Sequence, residues 1–209
     1  MYAEDSIQLL KESGIDFTRH ATEGIDVSRF GELIMMSGLV LCDDVKWVSF
    51  HSGYDFGYLI KILTCQTLPA DETGFFELLH IYFPTIYDVK LLMAQVDGLH
   101  GGLQRVAEDL KVERIGPMHQ AGSDSLLTNS TFFRLAHVAF QGVQQIEEKF
   151  KGEIYGLGAH AKVYNQKNHA DGASSKYGIA DPRSDPSVAS HVVNSNNVVN
   201  GRTANDDEG

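Results

Sequence analysis

The chain has 209 residues, 43% of them hydrophobic, and a formal net charge of −11 at pH 7. That length fits one domain with a tail. The charge excludes long-range attraction of nucleic acid by the protein as a whole, so such a ligand needs a local basic patch or bound divalent cations.

In chain order, residues 3–12 read as a helix with Ile7, Leu9 and Leu10 as its apolar side, stopped at Ser13-Gly14. Gly24-Ile25-Asp26 is a turn. Asp26 can cap a second helix running to about Met36, with Val27, Phe30, Leu33 and Ile34 facing inward and Gly38 ending it. Val45 to Phe50 alternates and is rich in β-branched and aromatic side chains, which predicts a half-buried strand. Beyond a glycine turn, Phe56, Leu59, Ile60, Ile62 and Leu63 fall at helical spacing. Asp55 sits at or near the start of that helix. A carboxylate there is favoured by free N–H groups and the helix dipole, so a simple cap is one reading of Asp55.

Residues 69–72 read as a loop and 74–82 as a short aromatic helix closed by Pro84. Thr85-Ile86-Tyr87 is a brief strand, and Asp88 caps a helix holding Val89, Leu91, Leu92 and Met93. Leu103, Val106, Ala107 and Leu110 share one face of a further helix, and a long helix spans about 123–140. From residue 159 onward Asn, Ser, Gly and Asp dominate and Phe and Trp are absent, which predicts a disordered tail. The fold class is α/β, although one strand and one brief strand are few for helices built to cover a sheet.

Cys42 and Cys65 have no CxxC or Cys/His spacing, so neither zinc nor a disulfide framework is indicated. They fit a reducing compartment. No charged-then-apolar leader opens the chain, and its longest apolar patch, 33–41, is too short to span a bilayer. We expect a soluble intracellular protein.

A second constellation stands at Met118-His119-Gln120-Ala121-Gly122-Ser123-Asp124. His119 and Asp124 share a helical face poorly, but a loop at Gly116-Pro117 with a helix beginning near Ala121 lets both point into one cleft. Such a pair suits acid–base chemistry and metal ligation. A surface His beside a capping Asp is the plainer alternative.

The order H-x-x-Tyr-Asp-x-x-Tyr-Leu at 51–59, Tyr87-Asp88, Leu-x-x-Val-Ala-x-x-Leu at 103–110 and H-x-A-x-x-D at 119–124 resembles the second and third motifs of the DEDDh 3′–5′ exonucleases. The stretches 47–64, 87–90 and 116–128 resemble one branch, the CAF/POP family of CCR–NOT deadenylases, in wording closest to its plant members. The resemblance covers about 1–158. It implies a ribonuclease H-like fold and a site in which four carboxylates hold two divalent metal ions, Mg²⁺ or Mn²⁺. Asp55 and Asp124 then match metal-ligating carboxylates and His119 the general base, while Asp88 matches no catalytic position. The implied substrate is single-stranded poly(A) RNA, and the implied partners are the NOT scaffold, a CCR-type deadenylase and antiproliferative-type adaptors, in nucleus and cytoplasm.

The family's first motif, Asp-x-Glu on its first strand, has no counterpart in this sequence. Met1 aligns with an internal methionine of the family, so the first three strands are expected to be absent, as the strand deficit suggests. Two carboxylates cannot balance two divalent cations, and little nuclease activity is expected of this chain alone. Two readings stay open: part of a deadenylase, or a truncated, catalytically dead paralogue that binds the CCR–NOT complex. For RNA contact, Tyr54, Phe56 and Lys61 lie near the site, with Phe56 and Tyr58 expected in the core. His51 reads as a residue supporting the site or as a satisfied, half-buried histidine.

Overall fold

The computed structural model describes residues 4–158, so the expected tail lies outside the described residues. Two three-residue strands, β1 (Trp47–Ser49) and β2 (Ile86–Asp88), pair in parallel with Trp47 opposite Ile86 and Ser49 opposite Asp88. Between them run α4 (Gly53–Thr64) and α5 (Glu72–Tyr82). Parallel neighbours need such a crossover, because a tight hairpin only joins antiparallel strands. Before β1 lie α1 (Glu4–Glu12), α2 (Phe17–Glu23) and α3 (Val27–Met36). After β2 come α6 (Val89–Met93), α7 (Leu103–Asp109), α8 (Ala121–Ala139) and α9 (Val143–Phe150).

Strand alternation sends neighbouring side chains to opposite faces, and here it separates two cores. Trp47 and Ile86 belong to a cluster with Ile34, Phe56, Ile60, Leu79 and Phe83, contributed by α3, α4 and the end of α5. Trp47 meets the Phe83 ring edge-on at 5.1 Å. Val48 and Tyr87 point the other way, into a cluster of Leu92, Val106, Leu127, Phe132 and Leu135. The Tyr87 and Phe132 rings stack with centroids 5.3 Å apart. Covered on both faces, β2 is buried throughout, whereas β1 is half-buried.

The caps at Asp26 and Asp88 form as their positions predict, each side chain accepting a backbone N–H from the first helical turn. Several expectations need correction. Helix α2, capped by Asp16, and helix α9 were not among the expected elements, although Val143, Ile146 and Phe150 of α9 do recur at helical spacing. Asp71 rather than Gly74 opens α5, so Glu72 is helical and not part of a loop. Strand β1 is shorter than 45–50. On α3, Ile34 is buried as expected but Val27 is 60% exposed and Leu33 also faces outward. Its apolar surface is wider than its buried stripe, and Met36, at 84% exposure, extends it. Cys42 and Cys65 are free thiols, as their spacing indicates. Among the described residues no helix is long and apolar enough to cross a membrane.

Candidate functional site

The helices α4 and α8, which carry the two candidate carboxylates, begin in the same way. His51 and His119 each adopt a left-handed backbone, φ 59° and 61°, and each is followed by one N-cap residue, Ser52 or Gln120. A non-glycine residue in that region costs about 1 kcal/mol or more and persists where its surroundings fix it. The result is a sharp entry into each helix, with Asp55 third in α4 and Asp124 fourth in α8. Neither carboxylate is the cap. The plain readings of Asp55 as an N-cap and of Asp124 as a surface cap are therefore both corrected.

The entry to α4 is fixed by Asp88. Its Oδ1 accepts the His51 N–H at 2.7 Å and the Lys90 N–H at 2.9 Å, and its Oδ2 accepts those of Ser52 and Tyr155, both at 3.2 Å. One buried side chain thus joins the end of β1, the start of α6 and the segment after α9. Burial pushes the Asp88 carboxyl above its usual range, and the N–H donors of His51, Tyr155 and Ser52 draw it partly back. The His51 ring meets Tyr155 edge-on at 5.1 Å, and the Lys90 ammonium lies 5.5 Å from the Phe50 ring centre and 5.7 Å from that of Tyr155. His51 is accordingly half-buried and held by its neighbours.

Asp124 is enclosed, with its side chain 3% exposed, and it is paired with Arg114. The Arg114 guanidinium donates through Nη1 to Asp124 Oδ1 at 2.6 Å and to Ser123 Oγ at 2.9 Å, and through Nε to Gln104 Oε1 at 2.6 Å. Asp124 Oδ2 and His119 Nδ1 are buried without a hydrogen-bond partner. No hydrogen bond or ion pair joins His119 to Asp124 among the described residues.

Arg114 was missed by sequence reasoning. It lies in the irregular stretch between α7 and α8, ten residues from Asp124, where no periodicity reports pairing. Tyr58 corrects a second expectation: it is 63% exposed and Tyr54 is 54% exposed, while Phe56 alone enters the core. Positions 54 and 58 are one helical turn apart, so α4 presents two exposed aromatic rings on one side, with Asp55 next in sequence to Tyr54. Lys61, also exposed, lies one turn further on.

Hard divalent cations take several oxygen ligands. Among the described residues no three His, Cys, Asp or Glu side chains gather closely enough to hold a metal ion, and the Asp124 charge is already met by Arg114. These side chains do not make a metal site on their own.

Beside this arrangement of parallel strands with helices on both faces, residues 35–132 match the CAF1 family ribonuclease profile. That stretch is CAF1-family ribonuclease sequence, and the fold is the ribonuclease H-like one of the Pop2/CAF1 RNase domains. The chain is 58% identical over 158 residues to probable CCR4-associated factor 1 homolog 7 of Arabidopsis thaliana, covering 76% of this chain and 56% of that protein. It is 48% identical over 168 residues to poly(A) ribonuclease pop2 of Schizosaccharomyces pombe, covering 80% and 50% respectively. The chain therefore spans about half the length of the curated relatives it matches. Among solved structures it resembles S. pombe Pop2p in its Mg²⁺- and Mn²⁺-bound form, with a TM-score of 0.70, 49% identity, and coverage of 75% of this chain and 62% of that one. It also resembles the CAF1 structure co-crystallised with the yeast NOT1 MIF4G domain, with a TM-score of 0.58, 31% identity, and coverage of 68% and 58%.

Proposed function

We propose that this chain is part of a poly(A)-specific 3′–5′ exoribonuclease, and that Asp55, His119 and Asp124 are its contribution to the active site. The observation that carries the reading is the family match over 35–132, which includes all three residues. The reaction is hydrolysis of the terminal phosphodiester of a single-stranded poly(A) tail, releasing AMP. His119, on its loop ahead of α8, takes the proton of the attacking water; the new P–O bond forms as the P–O3′ bond breaks, and the leaving oxygen is protonated by solvent. Tyr54 and Tyr58 offer stacking faces for unpaired bases next to Asp55, which every base can use without sequence preference. Adenine selectivity is part of the family reading and does not follow from these two rings.

Asp55 and Asp124 supply two negative charges, one of them neutralised by Arg114. Two divalent ions, the number we assign to a complete site, need further carboxylates. Activity is accordingly assigned to the site completed by the portion of the relatives that this chain does not span. The test mixes this chain with that portion of S. pombe Pop2p, Mg²⁺ and a 5′-labelled oligo(A) with a free 3′ end. Asp124-dependent shortening by the mixture, with little by this chain alone, is the expected result. No shortening by a folded, associated mixture would refute the reading.

A second reading has its own observation. Exposed apolar side chains of α3, Leu33, Met35 and Met36 among them, stand at a groove lined by Met35, Met36, Ile62, Leu63 and Cys65 together with Ser28 and Glu32. Exposed apolar side chains grouped at a groove mark interaction sites, and we assign this one to a protein partner, the NOT scaffold of a CCR–NOT complex in nucleus and cytoplasm. Under this reading the chain binds without catalysis. Co-purification with a NOT1 MIF4G domain, lost on Met36→Lys and Leu33→Lys substitution, supports it; unchanged co-purification would exclude α3 as the contact.

A further inference from the structure

The Arg114–Asp124 pair differs in kind from exposed helix pairs such as Arg19–Glu23 and Arg29–Glu32. Its side chains are 12% and 3% exposed, against more than 60% for both of those pairs. The guanidinium is held in place by three hydrogen bonds, Nε to Gln104 and Nη1 to both Ser123 and Asp124, the last at 2.6 Å. Gln104 stands on α7 and Ser123 on α8, so the charge is clamped between two helices. A fork of fixed N–H donors is well suited to such a role, and a lysine could match its charge but not its geometry. The other carboxylate oxygen, Oδ2, is buried and lacks a partner. It is the position a cation would have to use.

We infer that Arg114 is the resident counter-ion of Asp124 and that its charge keeps a divalent cation off this carboxylate in the present chain. An ion on Oδ2 would share this carboxylate with the guanidinium, within a poorly solvated region where like charges are weakly screened. Its repulsion by Arg114 would offset part of its attraction to Asp124 and so weaken binding there. The pair therefore makes the carboxylate stable in an enclosed site without metal, and it explains in charge terms why a sequence-defined ligand does not amount to a cation site. A completed site must either add enough negative charge to outweigh Arg114 or draw the guanidinium aside. Arg114 touches no substrate in this account; it acts through Asp124, as a positioning residue.

The inference rests on the proposed function only in taking Asp124 as the site's carboxylate, and its test uses no RNA. Mn²⁺ binding to the full chain is followed by the loss of the free-ion EPR signal, with circular dichroism to establish folding. Wild type and Arg114→Lys should show no Asp124-dependent binding in the low-millimolar range. Arg114→Gln, which retains a hydrogen-bond donor but not the charge, should bind Mn²⁺ at least tenfold more tightly, and adding Asp124→Asn should abolish the gain. If Arg114→Gln does not fold, Arg114→Met carries the same expectation. Asp124-dependent Mn²⁺ binding by wild type would overturn the inference. So would a folded, uncharged variant that gains nothing, since too few ligands would then be the whole cause. Neither outcome bears on shortening of oligo(A) by a completed site, which stands or falls by its own assay.

Discussion

Replacing Asp88 by alanine leaves four backbone donors, on His51, Ser52, Lys90 and Tyr155, without their acceptor. A buried donor left unpaired costs about 1–3 kcal/mol. Ser52 is fully buried and the other three are half-buried, so Ser52 is taken near the middle of that range and the rest near its lower end, roughly 5 kcal/mol together. Removing a desolvated carboxyl returns about 1–2 kcal/mol. The net loss expected for Asp88→Ala is about 3–4 kcal/mol, a large part of the roughly 5–15 kcal/mol that holds a domain folded. With a urea m-value near 2 kcal/mol/M, the unfolding midpoint should fall by about 1.5–2 M. Equilibrium urea titration followed by circular dichroism measures it. A shift under about 0.5 M with unchanged m would refute the view that this carboxylate joins three segments.

Asp88→Asn keeps an oxygen for His51 and Lys90 but turns an amide toward the N–H groups of Ser52 and Tyr155; about half of the alanine loss is expected, roughly 2 kcal/mol by the same measurement. The pH dependence has a definite sign. Because the folded carboxyl is raised, the native state holds its proton more firmly than the unfolded chain. The Asp88 contribution is then greatest below the unfolded value and falls as pH rises through the folded one. Wild-type stability relative to Asp88→Asn should therefore increase on acidification, and a difference that shrinks would contradict the assignment. Phe132→Ala removes the ring stacked on Tyr87 and should cost about 3–5 kcal/mol, read as a lower melting temperature. Tyr58→Ala, at an exposed position, should change stability by less than about 0.5 kcal/mol while weakening oligo(A) binding by the completed site; equal binding would remove Tyr58 from the RNA path.

What the sequence showed depended on how local the determining physics is. Helices α4, α7 and α8 were legible because each buries a repeated apolar stripe, and the caps at Asp26 and Asp88 because a carboxylate meets N–H groups two or three residues away. Helix α2 has no buried residue, so no stripe announced it. Tyr58 read as core because it sits among apolar neighbours, and only the packing direction of α4 shows that it faces outward. The carboxylate–arginine pairing depends on a loop conformation with no period at all. The resemblance pointed to Asp55, His119 and Asp124; it was silent on what surrounds them, and the Arg114 clamp is part of that surrounding.

The carboxylate at 88 gathers donors that are 37, 36, 2 and 67 residues away along the chain. On a ribosome adding 5–20 residues per second, its local cap can form almost at once and the His51 and Ser52 donors are already made. Tyr155 follows only roughly 3–13 s later. Until then the anchor has three of its four donors, and the core beneath the strands is open at the side that the last segment closes. The order of synthesis thus places the most demanding hydrogen-bond hub of the domain under the control of its final described residues.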